Sequence, residues 1–146
     1  MPDRLRIIIL RFGGVLLVAL GGLHLAVTPI IARFVQQSAS PDSVNWLTPP
    51  MLLNHVVVGI LLLPLGFLTA YAASSAVRGE RWALMVIRAT ALTVGTLPPV
   101  LIGLMGTRYF GAVPFVVATA MVCFASVVLL AAAFWPTNPA RGRPLT

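Results

Sequence analysis

Four long runs of apolar residues constrain the fold of this chain more than any other feature. Their approximate bounds are residues 12–31, 50–73, 83–105 and 113–134. As a helix, each run is about long enough to cross a hydrocarbon core roughly 30 Å thick. Because the backbone finds no water there, each run has to bond its own polar groups within a helix. The sequence predicts an all-α integral membrane protein, with residues 1–146 forming a single domain of four transmembrane helices.

The composition supports a membrane protein and argues against a nucleic-acid partner. The chain is 59% hydrophobic and 9% charged over 146 residues, and its mean hydropathy is +0.99. A soluble domain is about 25% charged. A net charge of +7 can indicate nucleic-acid binding, but the arginines stand mostly at the ends of the apolar runs, where they orient membrane proteins. We therefore expect the lipid bilayer as the surroundings and no nucleic acid.

The placement of arginine predicts the orientation and the compartment. The amino-terminal flank, the loop after residue 73 and the carboxy-terminal tail carry Arg4, Arg6, Arg11, Arg78, Arg81, Arg141 and Arg143. The other two loops carry Arg33 and Arg108. By the positive-inside rule, both termini are cytoplasmic and the bundle runs up-down-up-down. All ten basic residues are arginine, which is typical of a GC-rich bacterial genome, so we expect the bacterial inner membrane.

Prolines mark two further features of the apolar runs. The segment 32–48 is polar and is predicted as a loop, with Pro49 and Pro50 beginning the second helix, where a missing N–H costs little. Pro98 and Pro99 lie inside the third run and predict a kink there. They also free the carbonyls four residues before them, which Thr93 or Thr96 would bond.

The two histidines of the chain form the strongest functional signal in the sequence. His24 lies seven residues before the predicted outer end of the first helix, and His55 lies four or five residues after the outer start of the second. At about 1.5 Å per residue, both fall roughly 6–11 Å below the outer surface. Because sequential helices pack side by side, the two imidazoles are expected to lie at one depth and within reach of each other.

Three ligands are compatible with such a pair. Two imidazoles can hold a haem b iron, and small residues such as Gly59 would leave room for the macrocycle. Copper is a second candidate, since Met51 precedes His55 by one turn and adds a thioether to the imidazoles. A quinone headgroup, hydrogen-bonded by a histidine with Asn54 nearby, is the third. The alternative without a ligand is that His24 bonds Asn54, His55 or a backbone carbonyl and joins the first two helices.

The remaining polar residues favour a role without catalysis. None of the predicted spans contains Asp or Glu, which disfavours an ion-coupled transporter, and the chain has no nucleophile–base constellation. The most favoured function is an accessory membrane subunit that packs with partner transmembrane helices or with a second copy. The alternatives are a small electron-transfer protein that binds haem b or quinone through the histidines, and a small permease hinged at Pro98 and Pro99.

Overall fold

The computed structural model describes residues 1–38, 41–105 and 113–136, and within these ranges the chain is helical without strands. The helices are α1 (Asp3–Ser38), α2 (Pro41–Val77), α3 (Arg81–Met105) and α4 (Val113–Ala133). All four are long and apolar enough to cross a membrane. The prediction of an all-α protein with four such helices is confirmed for the described residues. The predicted turn with Arg108, and the tail with Arg141 and Arg143, lie outside them.

The first two helices are longer than predicted. α1 begins at Asp3, because the residues before Phe12 include no helix breaker and Asp3 places a negative charge in the first turn. α2 begins at Pro41, so Pro49 and Pro50 lie inside it. A proline at the first helical position does start this helix, eight residues earlier than expected. Polar residues of the predicted loop, such as Gln36 and Gln37, are good helix formers, and polarity alone did not end α1.

The chain divides into two compact units. The middle unit is Val15–Phe67, and the terminal unit joins Met1–Gly14 to Leu68–Thr146. In the terminal unit, small side chains fill the helix contacts. Its buried alanines are Ala72, Ala73, Ala76, Ala83, Ala91, Ala125, Ala132 and Ala133. Small residues let transmembrane helices approach closely, and dispersion contacts then stabilise the pair.

Residues of α1 and α4 also meet in the terminal unit. The side chain of Arg6 is buried, with 3% of its surface exposed. Its Nε donates a hydrogen bond to the carbonyl of Ala132 at 2.9 Å, and Nη2 donates to Ala133 at 3.4 Å. These carbonyls belong to the last turn of α4 and lack intrahelical donors. Arg6 therefore acts as a cationic cap on the negative end of the α4 dipole.

A short turn connects α2 to α3. Gly79 has a φ of +85°, and the N–H groups of Gly79 and Glu80 bond the carbonyls of Ala76 and Ser75. This pattern is a Schellman motif, which favours glycine because an L side chain is strained at positive φ. The carboxylate of Glu80 then accepts hydrogen bonds from Arg78 and from the Trp82 indole. The turn is thus held by both backbone and side-chain bonds.

Candidate functional site

The middle unit brings the two histidines into direct contact. The ring centroids of His24, on α1, and His55, on α2, are 4.6 Å apart, and the ring planes are tilted by 42°. Both side chains are half-buried. Direct reach between the two rings was expected from their matched depth on sequential helices. What the pair can bind depends on the nitrogen atoms of the two rings.

The helices approach closely one turn from this pair. A Cβ added at Gly21 would lie 2.8 Å from the carbonyl oxygen of Gly59, and one at Gly59 would lie 2.9 Å from the side chain of Leu25. Real Cβ atoms do not approach other atoms so closely, so glycine is needed at both positions. The space beside Gly59 is filled by α1 and offers no slot for a macrocycle.

The hydrogen bonds of His24 define its tautomer. Its Nδ1 lies 3.0 Å from the carbonyl oxygen of Leu20, one turn earlier on α1. A carbonyl oxygen only accepts hydrogen bonds, so Nδ1 carries the hydrogen, and Nε2 of the neutral ring presents a lone pair. Thr28 donates its hydroxyl hydrogen to the carbonyl of His24 at 2.8 Å. The ring is therefore oriented by its own helix.

His55 differs from His24 because one ring nitrogen lacks a partner. Its Nε2 is fully buried and makes no hydrogen bond within the described part of the chain. The same is true of the hydroxyl of Thr48, which precedes His55 by seven residues and so lies on the same face of α2. A buried polar atom without a partner costs about 1–3 kcal/mol. This face of α2 therefore carries two polar groups that the described chain does not satisfy.

Two other predicted site residues lie within one turn of His55 on α2 and are exposed. The side chain of Asn54 is exposed within the candidate span of α2. Met51 stands one turn before His55 and is 46% exposed. Neither belongs to the buried helix contact formed at Gly21 and Gly59. The described residues include no cluster of three or more His, Cys, Asp or Glu side chains.

The geometry of the rings does not suit a haem iron between them. Metal–nitrogen bonds of about 2 Å on opposite sides of one iron would place the ring centroids roughly 6 Å apart. The observed 4.6 Å is shorter, and α1 and α2 already touch one turn away. A small ion bound at an angle, or a hydrogen-bonded group beside the rings, requires less space.

Sequence reasoning did not single out Arg6 or Ser126. Arg6 shares a helical face with the buried residues Leu10 and Gly13. This periodicity could have predicted that the buried face of α1 extends into the basic flank and includes Arg6. Ser126 donates to the carbonyl of Val94 at 3.0 Å. Pro98 removes the N–H that would otherwise bond that carbonyl. Ser126 on α4 makes the repair that was expected of Thr93 or Thr96.

An apolar groove of about 400 Å³ lies in the terminal unit and offers no chemistry. Its lining is Met1, Ile8, Ile9, Phe12, Phe124, Val127, Val128, Ala131, Ala132 and Trp135. Such a groove suits an acyl chain of the bilayer and contains no group that would orient a reaction.

Comparison with known protein families, with curated proteins and with solved structures finds no match.

Proposed function

We propose that the protein is a non-catalytic membrane subunit that associates with partner transmembrane helices. The observation that carries this proposal is the exposed amide of Asn54 inside a candidate span. In hydrocarbon, an amide without a hydrogen-bond partner costs roughly 2–7 kcal/mol. A polar group on a second helix removes this cost, and Asn is one of the residues that hydrogen-bond between transmembrane helices.

The exposed face of α1 supports the same proposal. A Cβ at Gly22 would have no atom within 4 Å, and Ala26, one turn later, is also exposed. Such a pair of small residues leaves room for the backbone of another helix. The occupant is a second copy of this chain or a helix of another membrane protein.

The topology belongs to the proposal as well. We infer an up-down-up-down bundle in the bacterial inner membrane with both termini cytoplasmic, on the basis of the arginine asymmetry. We also expect the axis of α3 to bend by more than about 20° near Pro98. The permease alternative is less well supported, because the carbonyl of Val94 already accepts the Ser126 hydroxyl and does not line a cavity as a free acceptor.

The electron-transfer alternative has one observation in its favour, the buried Nε2 of His55 without a partner. The 4.6 Å between the ring centroids leaves no room for haem b between them. A quinone carbonyl could accept a hydrogen bond from His55 but not from His24, whose Nε2 presents a lone pair. This alternative therefore ranks second.

Site-specific cross-linking tests the association. A photoreactive residue is placed at Leu61, which is exposed and lies seven residues after Asn54 on the same face of α2. In the membranes of the source cell, we expect a discrete protein adduct that falls at least about fivefold in Asn54→Leu and returns in Asn54→Gln, since glutamine keeps the amide. The same probe at Met85, exposed on α3, is the control. Adducts to lipid alone at position 61 would contradict the proposal.

A further inference from the structure

The orientation of His24 matches that of a metal ligand. Histidines that bind metals donate the hydrogen of the other ring nitrogen to a carboxylate, a carbonyl or water, which fixes the ring and its tautomer. His24 donates from Nδ1 to the carbonyl of Leu20 and keeps the Nε2 lone pair available. His55, in contact with it, has a buried Nε2 without a partner. The two rings in contact thus offer the Nε2 lone pair of His24 and the Nε2 of His55 that has no hydrogen-bond partner.

The chemistry of these nitrogens selects among the possible ligands. A quinone offers carbonyl oxygens, which cannot bond the lone pair of His24, whereas a metal ion accepts lone pairs from both rings. Met51 lies one turn before His55 on the same side of α2. Its side chain is flexible and can bring a soft thioether sulfur toward the His55 ring. Imidazole together with thioether favours copper, and the thioether favours Cu(I).

We propose that His24 and His55 bind one Cu(I) ion, with Met51 as the third ligand. All three ligands are neutral, so the ion keeps its charge in an apolar surrounding, and a monovalent ion is less costly to bury there than a divalent one. Rings that meet a metal at a tetrahedral angle have centroids about 5 Å apart. The observed 4.6 Å reaches this value with a small rotation of either ring.

The test is a Cu(I) titration of the full chain in lipid nanodiscs, without oxygen and against a chromogenic Cu(I) chelator. All proteins carry Cys123→Ser, because the free thiol of Cys123 is itself a soft ligand. We expect one tightly bound Cu(I) per chain. His24→Gln and His55→Gln should each weaken Cu(I) binding at least about 100-fold, because an amide is a poor substitute for imidazole.

The third ligand has its own test and its own controls. Met51→Leu should weaken Cu(I) binding about tenfold and leave Zn²⁺ binding unchanged, because zinc gains little from a thioether. Met85→Leu on α3, which replaces an exposed methionine outside the site, should not change Cu(I) binding. X-ray absorption of the copper-loaded protein should show nitrogen and sulfur neighbours, with the sulfur lost in Met51→Leu. An unchanged sulfur signal in that variant would overturn the assignment of Met51.

The histidine assignment is falsifiable even if one histidine variant folds poorly, since the X-ray absorption spectrum of the copper-loaded Cys123→Ser parent reports the ligands directly. A spectrum that shows copper without nitrogen neighbours would overturn the assignment of the two histidines as ligands. So would equal Cu(I) affinity in the Cys123→Ser parent and in the double variant His24→Gln/His55→Gln made in that parent. Stoichiometric quinone extracted from the wild-type chain and absent from His55→Gln, or a Soret band lost in that variant, would replace the copper site with the electron-transfer alternative.

Discussion

The hydroxyl of Ser126 on α4 lies 3.0 Å from the carbonyl oxygen of Val94 on α3, the carbonyl that Pro98 deprives of its helical donor. The same hydroxyl lies 2.7 Å from the carbonyl of Val122 on its own helix. Its single hydrogen therefore has two acceptors within reach, and Ser126 is 3% exposed. A backbone defect in one helix is thus corrected by a side chain of the next.

Replacing Ser126 with Ala should destabilise the protein, because the Val94 carbonyl then loses the hydroxyl that substitutes for its helical donor. Hydrogen bonds between transmembrane helices contribute about 0.6 kcal/mol on average and up to about 1.7. We expect a loss of about 1 kcal/mol in the free energy of unfolding, measured in bicelles. In a Pro98→Ala background, the restored N–H bonds Val94, and the loss should shrink toward zero. An equal loss in both backgrounds would show that Ser126 acts elsewhere.

Arg6 should contribute more to stability than its neighbour Arg4. Arg6 is buried and donates to two carbonyls at the end of α4, whereas Arg4 is exposed. Hydrogen bonds from a charged donor are each worth about 1.5–3 kcal/mol. We expect Arg6→Leu to lower the free energy of unfolding by about 3 kcal/mol, with Arg6→Lys less harmful and Arg4→Leu nearly neutral. Comparable losses for the two leucine variants would contradict the capping role.

Adjacent glycines in α1 should respond in opposite ways to alanine. A Cβ at Gly21 meets the carbonyl of Gly59 at 2.8 Å, and one at Gly22 meets nothing within 4 Å. Gly21→Ala should force the helices apart and cost about 1–3 kcal/mol of unfolding free energy. Gly22→Ala should be neutral or stabilise the monomer by up to about 1 kcal/mol through helix propensity. The measurement is the Tm of both variants in one detergent. Equal changes in Tm would contradict the close contact between Gly21 and Gly59.

The turn between α2 and α3 should lose stability in acid. Hydrogen bonds from Arg78, and then from Trp82, lower the pKa of Glu80 below its ordinary value of 4.5. Because the folded pKa is the lower one, the stabilising contribution is complete above the ordinary value and disappears as the pH falls through the folded value. In Tm measurements from pH 7 to pH 3, the difference between wild type and Glu80→Gln should narrow only below about pH 4.5. A constant difference would rule out this titration.

The inferred topology can be read from reporter fusions. Seven arginines of the tail, flank and middle loop stand against two on the other side. A reporter fused after Thr146 should be active only as a cytoplasmic fusion, and one inserted at Ser40 only as an external fusion. Moving a basic residue from the middle loop to the segment between α1 and α2, as in Ser40→Arg combined with Arg78→Ser, should weaken the preference for cytoplasmic termini. An external carboxy terminus would require an odd number of crossings.

Some features of the fold and of the candidate site can be predicted from the sequence and others cannot, for physical reasons that differ. Hydrophobic length indicates the four helices, and matched depth indicates the contact of His24 with His55, because both follow from helix geometry. The ends of α1 and α2 were not predicted, since polar helix formers and internal prolines are compatible with a helix whose packing repairs the defects. The Ser126 bond and the Arg6 cap join residues 32 and 126 positions apart. Only the packed chain brings these donors and acceptors together.

The contact of Arg6 with Ala132 also has a consequence for the order of assembly. Ala132 is synthesised 126 residues after Arg6, which is about 6–25 s at ordinary translation rates. During that interval the guanidinium has none of its final acceptors. Once the last turn of α4 is in place, the same charge becomes part of the interior. A chain that stops before α4 would keep Arg6 exposed. The accessibility of Arg6 therefore reports whether α4 has packed against α1.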